Sequence, residues 1–386
     1  MFQDLMAGTF EFGFPARVLF GLDSIAQLGT LVRELGGTRV LIVTDPGIRS
    51  AGITDRAIES VKYQSIEYFV FDGVEENPES IHLENGTRLA NQAGGIDFIV
   101  GLGGGSSMDC AKGINFLLTN GGKIEDYWGF NRATKPMLPS IGIPTTAGTG
   151  SEAQSYALIS QEKTHRKMAC GDVKARFRAV ILDPALTLTA SKKVTATSGI
   201  DAISHAVETY VTTKRNPISK MFSLEAWKLL ESNYERVIQE PQNIEIRAAM
   251  LLGSHFAGIA IEHSMLGAAH ACANPLTAHY GIEHGIAVSL MLPAVVRFNA
   301  ETMSDSYAEL LNAAKFNRTS DSGLLLSQRI SELRSAGTLP ENLRSCGVDI
   351  KIFPELAQDA ADQWTGKFNP RPLTVSDFQK LYEASY

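Results

Sequence analysis

Five runs in the first half of the chain are apolar almost without a break. RVLIVT (39–44) ends in the turn Asp45-Pro46-Gly47. IEYFVF (66–71), the start of DFIVGLGGGSSMD (97–109), LPSIGIPTT (138–146) and AVILD (179–183) follow in order. The stretches at about 49–62 and 79–93 read as helices, and a third helix follows the glycines near 105. Strands that are apolar on both faces and alternate with helices predict a parallel sheet covered on each side. Residues 154–160 and 165–170 predict a hairpin inserted before the last strand. After Pro184 strand signals cease. Long helical stretches take over at about 193–213, 217–239, 242–263, 265–279 and 283–299, and the polar residues 300–350 read as further helices. The pattern predicts an α/β domain over 1–185 and an all-helical domain over 186–386.

Composition narrows the classes. At one domain per ~150 residues, 386 residues fit two to three domains. With 44% hydrophobic and 20% charged residues, the chain has enough apolar surface for a large core, which excludes disorder. A net charge of −7 lacks the basic footprint of a nucleic-acid binder. Four cysteines without a close pair give no disulfide framework. The segment MFQDLMAGTF has no basic residue and is not a secretory signal, and no apolar run approaches the ~18 residues of a bilayer span. The expectation is a soluble, cytoplasmic protein with neither nucleic acid nor membrane as partner.

Gly101-Leu102-Gly103-Gly104-Gly105-Ser106-Ser107 lies where a strand meets a helix. Glycines let the backbone approach an anion, and the helix start offers free N–H groups. The dinucleotide fingerprint G-x-G-x-x-G fails here, because its last position is Ser106 and the loop follows the third strand instead of the first. A diphosphate cofactor is expected, in something other than a simple Rossmann unit. A second loop, Pro144 to Glu152, is rich in hydroxyls and glycine and suits contacts to pyrophosphate or a nicotinamide amide. Asp45, at the end of the first strand, suits an adenosine ribose and would repel a 2′-phosphate, favouring NAD over NADP.

Six of the eight histidines fall between 205 and 284. Asp201 and His205 are i, i+4 on an expected helix, near whose start the preceding Ser198-Gly199-Ile200 would place them, so both face one way. His270 and His284 are separated by Pro275 and the 281–285 segment, which are expected to break the helix and let the two converge. One carboxylate and three imidazoles suit Fe(II) or Zn(II) and are poor for Mg or Ca. His255 reads as a packing residue. His263 reads as near the metal or lining the pocket, and His279 as lining the pocket or capping a helix.

The segments VTD (43–45), GLGGGSSMDCAK (101–112), IPTTAGTGSE (143–152), GIDAISHAVE (199–208), His270 to His284 and TGKFNPRP (365–372) resemble, in order, those of the iron-dependent (group III) alcohol dehydrogenases. That family shares its fold with glycerol dehydrogenase and dehydroquinate synthase. The resemblance implies a dinucleotide-binding domain followed by a helical metal-binding domain, with a nicotinamide lying near the metal. Carried over by position, it implies Asp201, His205, His270 and His284 as ligands of Fe2+ or Zn2+. It implies Asp45, Gly103, Gly104, Gly105, Ser106, Asp109, Thr145, Thr146, Thr149, Lys167 and Leu186 as contacts to NAD. Tyr156, Ile261 and Trp364 fall where the family lines its substrate pocket. One position departs from the pattern: Asn274 stands where the family usually has a histidine, and Asn does not titrate near neutral pH. Water, His279 or His263 is then expected to take the proton, or the activity is altered. The implied reaction is hydride transfer between NAD(H) and a small alcohol, aldehyde or ketone, with a homodimer as the assembly. The alternative is a metal-dependent lyase of the dehydroquinate synthase type.

Overall fold

Strands β1 (Arg17–Phe20), β2 (Arg39–Val43), β3 (Glu67–Phe71), β4 (Phe98–Gly103), β6 (Ser140–Pro144) and β9 (Ala179–Leu182) form a six-stranded sheet. Its order is β1-β9-β6-β4-β2-β3, with every pair parallel. The computed structural model describes residues 10–13, 16–162, 167–316 and 321–386. Helices α1 (Leu28–Glu34), α2 (Pro46–Ser50), α3 (Ile53–Tyr63), α4 (Ser80–Gln92) and α5 (Gly105–Asn120) make the connections. β4 and β6 are buried at every residue, as continuous apolar runs require. A second sheet joins β5 (Gly129–Phe130) to the antiparallel pair β7 (Tyr156–Ser160) and β8 (Lys167–Gly171). The expected hairpin is therefore present, although residues 165 and 166 lie outside the described ones. β5 is too short for any pattern to announce.

The strand order positions the cofactor loops. β2 pairs with β3 on one side and with β4 on the other, in register Val43↔Gly101. The chain thus reverses direction across the sheet between β2 and β4, and ligands of open α/β sheets bind at such a point, beyond the carboxyl ends of the strands. Asp45 and Gly103–Gly105 occupy these two ends.

The α/β unit spans Gly13–Ala190, and the helical unit comprises Ser191–Tyr386 with the segment ending at Phe12. The boundary falls slightly beyond the expected residue 185. The turn Pro184–Thr187 stays with the sheet because fully buried Asp183 accepts hydrogen bonds from Asp23 N (3.1 Å), Ile25 N (3.3 Å) and Ala185 N (3.1 Å).

The helical unit contains α6 (Lys192–Val211), α7 (Pro217–Gln239), α8 (Ile244–Glu262), α9 (Ala268–Tyr280), α10 (His284–Ala313), α11 (Ser322–Ala336), α12 (Phe353–Asp362) and α13 (Val375–Ala384). Side-chain caps start several of them: Ser191 accepts from Val194 N, and Asn216 accepts from Ile218 N and Ser219 N ahead of Pro217. Two expectations fail here. α6 begins at Lys192, so Asp201 and His205 lie mid-helix; Gly199 starts nothing, and a Cβ there would meet the Tyr234 ring at 2.9 Å. Pro275 lies inside α9 and breaks nothing, while the other expected break, the 281–285 segment, is present and begins at Gly281 with φ 62°. α8 and α10 are also long and apolar enough to cross a bilayer, contrary to the reading of the apolar runs. Their apolar windows are 67% and 61% buried, so packing within the unit accounts for that surface.

Candidate metal centre and cofactor loops

The helical period places Asp201 and His205 on one stripe of α6. His270 is the third residue of α9, and His284 is the first of α10. Gly285 permits their approach, since a Cβ there would lie 2.1 Å from the Thr197 carbonyl of α6. Three imidazole nitrogens surround one carboxylate oxygen, Asp201 Oδ1. His205 Nε2 is at 3.5 Å, His270 Nε2 at 3.7 Å and His284 Nε2 at 3.9 Å. Donors bound ~2.1 Å from a shared tetrahedral ion lie about 3.4 Å from one another, so the spacing fits a metal. Ligand atoms of Asp201, His270 and His284 all lie within 4.8 Å of one another. Asp201 Oδ1 and His270 Nε2 are buried and make no hydrogen bond among the described residues. Buried polar atoms left in that state suit coordination better than packing. Asp201, His270 and His284 fit a divalent cation; His205 falls outside that group and joins it through its 3.5 Å approach to Asp201 Oδ1.

Without an ion, the buried carboxylates and imidazoles hold one another charged. Burial works to raise the Asp201 carboxyl, but the charges of His205, His284 and His270 outweigh it and hold Asp201 well below the usual range. Burial works against a charged His270, yet Glu208 and Asp201 push its pKa up to about 9.

Glu208 is the functional residue that the sequence reading missed. Its Oε2 meets His270 Nδ1 at 2.5 Å, and its Oε1 accepts from Ala269 N at 2.7 Å. Both side chains are only 4% exposed. In the neutral ring that donates Nδ1–H to Glu208, the lone pair of His270 would sit on Nε2, facing Asp201. The signal was present: Glu208 follows Asp201 by seven residues and His205 by three, on the same helical face.

The other candidates lie elsewhere. Asn274 Nδ2 donates to Gln363 Oε1 at 3.1 Å. His279 Nε2 is 2.7 Å from Asp359 Oδ2, in the last turn of α9. Nine residues beyond His270, at about 1.5 Å per residue, it stands some 13 Å further along the helix. His279 is therefore not gathered with the ligands. His263 ends α8 with its ring 4.6 Å from Phe12, and His255 is buried in α8 as a packing residue. Ile261 is buried in α8, and Trp364 packs edge-on to Phe368. The Tyr156 ring packs on Phe130 in the smaller sheet.

In the α/β unit the two loops interlock. Gly104 caps α5 without a side-chain hydrogen bond, leaving the helix start open to an anion. A Cβ on Gly103, at φ 149°, would lie 2.4 Å from Ser107 Oγ and 3.0 Å from Asp45 Oδ2. A Cβ on Gly105 would lie 2.7 Å from Thr149 Cγ2, and one on Gly104 would lie 3.6 Å from Thr146 Oγ1. Ser106 Oγ accepts from Asn77 N, and Asp45 accepts from Ile48 N and from Ser107 Oγ. Thr145 Oγ1 is buried without a hydrogen-bond partner. Backbone donors and an unused hydroxyl beside a capless helix fit a dinucleotide phosphate.

Two residues expected to contact the cofactor have buried side chains. Leu186 is fully buried in the core of the α/β unit, so its side chain touches sheet and helices. Asp109 is also buried, 3.8 Å from Lys112 Nζ, and bonds inward to Leu158 N and Ser151. Lys112 Nζ donates to the carbonyls of Ser151 and Tyr156, each at 2.7 Å. This pair fastens the second loop to α5, while Lys167, at the start of β8, lies close enough for its charge to act on Asp109.

Family models match both units of the chain. Residues 15–184 match a family model described as "Iron-containing alcohol dehydrogenase", and residues 195–386 match "Fe-containing alcohol dehydrogenase family, C-terminal". Alcohol dehydrogenase 4 of Schizosaccharomyces pombe is 34% identical, over 97% of this chain and 88% of that protein. The NAD-dependent methanol dehydrogenase of Bacillus methanolicus is 29% identical, over 96% of this chain and 98% of its own length. The crystal structure of a 1,3-propanediol oxidoreductase superposes with a TM-score of 0.94 at 30% identity, over 98% of this chain and 100% of that one.

Proposed function

The chain belongs to the iron-containing alcohol dehydrogenase family, and from that premise we propose how its own residues serve the reaction. It is an oxidoreductase that transfers hydride between NAD(H) and an alcohol or carbonyl compound, with iron as its metal. The observation that carries the assignment of ligands is the set of three imidazole nitrogens within 3.5–3.9 Å of Asp201 Oδ1. Asp201, His205, His270 and His284 hold the cation. When bound there, the cation supplies Lewis acidity toward the alcohol or carbonyl oxygen. Asp201 contributes the negative charge of the set, and Glu208 keeps Nε2 of His270 free to coordinate. Zn2+ is accepted by the same donors.

Gly103, Gly104, Gly105 and Ser106 hold the diphosphate at the start of α5, with Thr145, Thr146 and Thr149 on the facing loop and Asp45 on the adenosine ribose. In the helical unit, Ile261 and Trp364 contact a small alcohol or aldehyde. Asn274 cannot move a proton, and His279 is committed to Asp359; the alcohol proton passes to water or to His263. The assembly is a homodimer. Supporting this, β1 is an edge strand with Val18 and Phe20 exposed. The enzyme works in the cytoplasm, where its four free cysteines stay reduced.

Anaerobic purification, metal analysis and a screen of alcohols for NADH formation test the proposal. H270A and H284A should each lose metal and turnover together while NAD+ binding survives. Full turnover in metal-depleted protein, or a product formed without net NADH, would overturn it.

A further inference from the structure

Residues 365–372 (TGKFNPRP) contain no ligand, yet they touch all three helices that carry one. The Phe368 carbonyl accepts from Thr213 N (2.8 Å), Thr212 Oγ1 (3.1 Å) and Thr213 Oγ1 (3.2 Å) at the end of α6. One residue on, Asn369 is 3% exposed and forms an amide-to-amide pair with Asn299 of α10. Its Nδ2 donates to Asn299 Oδ1 at 2.7 Å and to the Arg371 carbonyl at 2.7 Å. Its Oδ1 accepts from Asn299 Nδ2 at 3.0 Å and from Ala268 N, the first residue of α9, at 3.4 Å. Arg371 Nη1 donates to the Phe298 carbonyl of α10 at 2.9 Å, and its guanidinium lies 3.9 Å over the Phe298 ring.

These contacts converge on the bend that aims His270. A Cβ on Gly267 would lie 3.0 Å from Glu208 Oε1 and 3.2 Å from Asn369 Oδ1. Gly267 therefore fits between the carboxylate that orients His270 and the amide that holds Ala268. A ligand set drawn from three helices has no covalent frame, so its spacing depends on what fixes α6, α9 and α10 together.

We propose that residues 368–371 are a clasp for the metal centre, in which Asn369 is a positioning residue acting on the ligands through α6, α9 and α10. This rests on the metal-site reading above. The clasp belongs to the helical unit, so its loss should weaken metal binding and leave cofactor binding intact.

The test uses the full chain with Zn2+ as probe. Zn2+ affinity is measured by chelator competition and NAD+ affinity by titration. N369A should bind Zn2+ roughly 10-fold or more weakly, the range typical of residues that support ligands, with NAD+ affinity within about twofold of wild type. Loaded with Co2+, it should show shifted ligand-field bands, which unaltered ligand positions would not give. N299A should behave alike, and the double variant should be no worse than the poorer single one, because the two amides act as one unit. T212V, which keeps the side-chain shape, should give a loss of a few fold and serves if N369A does not fold. Wild-type Zn2+ affinity in folded N369A, or in T212V should N369A not fold, overturns the clasp. Failure of the wild-type chain to bind Zn2+ would instead overturn the metal site itself.

Discussion

Two buried carboxylates show how little a side chain's type says until its partners are known. Glu208 sits in a motif shared with the family, but only the 2.5 Å contact to His270 gives it a role. E208A would leave His270 Nδ1 and the Ala269 N–H without their acceptor. Its metal affinity is expected to fall by about 10–100-fold, and that of E208Q by less, because one oxygen remains to accept. Metal content after dialysis against a chelator measures this, and unchanged content in E208A would sink the assignment. The family resemblance implies Asp109 as a cofactor contact. Its carboxyl instead faces inward, where burial pushes its pKa up to about 6 despite Lys112. An acid whose folded pKa exceeds its unfolded value binds its proton more tightly when folded. Its contribution to stability is complete below about pH 4 and is lost as pH rises to about 6. Wild type should therefore lose thermal stability across that window relative to D109N. Parallel unfolding curves for the two proteins between these pH values would refute it.

At the level of elements, the sequence was most readable where one requirement acted alone. β2, β4, β6 and β9 are buried on both faces, so their apolar runs marked them without ambiguity. Helices α7 and α8 were bounded within about two residues by the caps Asn216 and Asn243. It was least readable at Gly199 and Pro275, residues that usually break helices and here lie inside them. Each is governed by a neighbour or a neighbouring turn that spacing cannot reveal: Gly199 makes room for Tyr234, and Pro275 is tolerated within an α9 that ends at Gly281. The four ligands could be named from type and spacing, but their approach depends on Gly285. G285A would place a methyl group 2.1 Å from the Thr197 carbonyl, and backbone cannot yield cheaply. The start of α10 must then shift, taking His284 with it. The expected result is a loss of stability of about 1–3 kcal/mol together with weaker metal binding, read from unfolding curves and Zn2+ competition. Metal affinity equal to wild type would show that His284 is not a ligand. In the α/β unit the corresponding change is G105A, whose methyl would press on Thr149 at 2.7 Å. It should raise the NAD+ dissociation constant while metal content stays at the wild-type level.

On the scale of the whole chain, the division of labour is strict. Every residue assigned to the diphosphate loops lies in Gly13–Ala190, and every proposed metal ligand lies in Ser191–Tyr386. Each ligand must therefore act on stability through the unit that binds it. A ligand that binds only the folded state adds RT ln(1 + [L]/Kd), about 2.7 kcal/mol at a hundredfold excess over Kd. Zn2+ should raise the unfolding temperature of the helical unit, and NAD+ that of the α/β unit. Hydrogen exchange followed by mass spectrometry distinguishes the two. With Zn2+, protection should rise in α6, α9 and the start of α10; with NAD+, it should rise around Gly103–Gly105 and Thr145–Thr149. H270A removes one ligand and leaves the cofactor loops intact, so it should abolish the Zn2+ effect and preserve the NAD+ effect. If Zn2+ still protected α9 in H270A, the ion would have to be held by other side chains, and the cluster around Asp201 would no longer account for it.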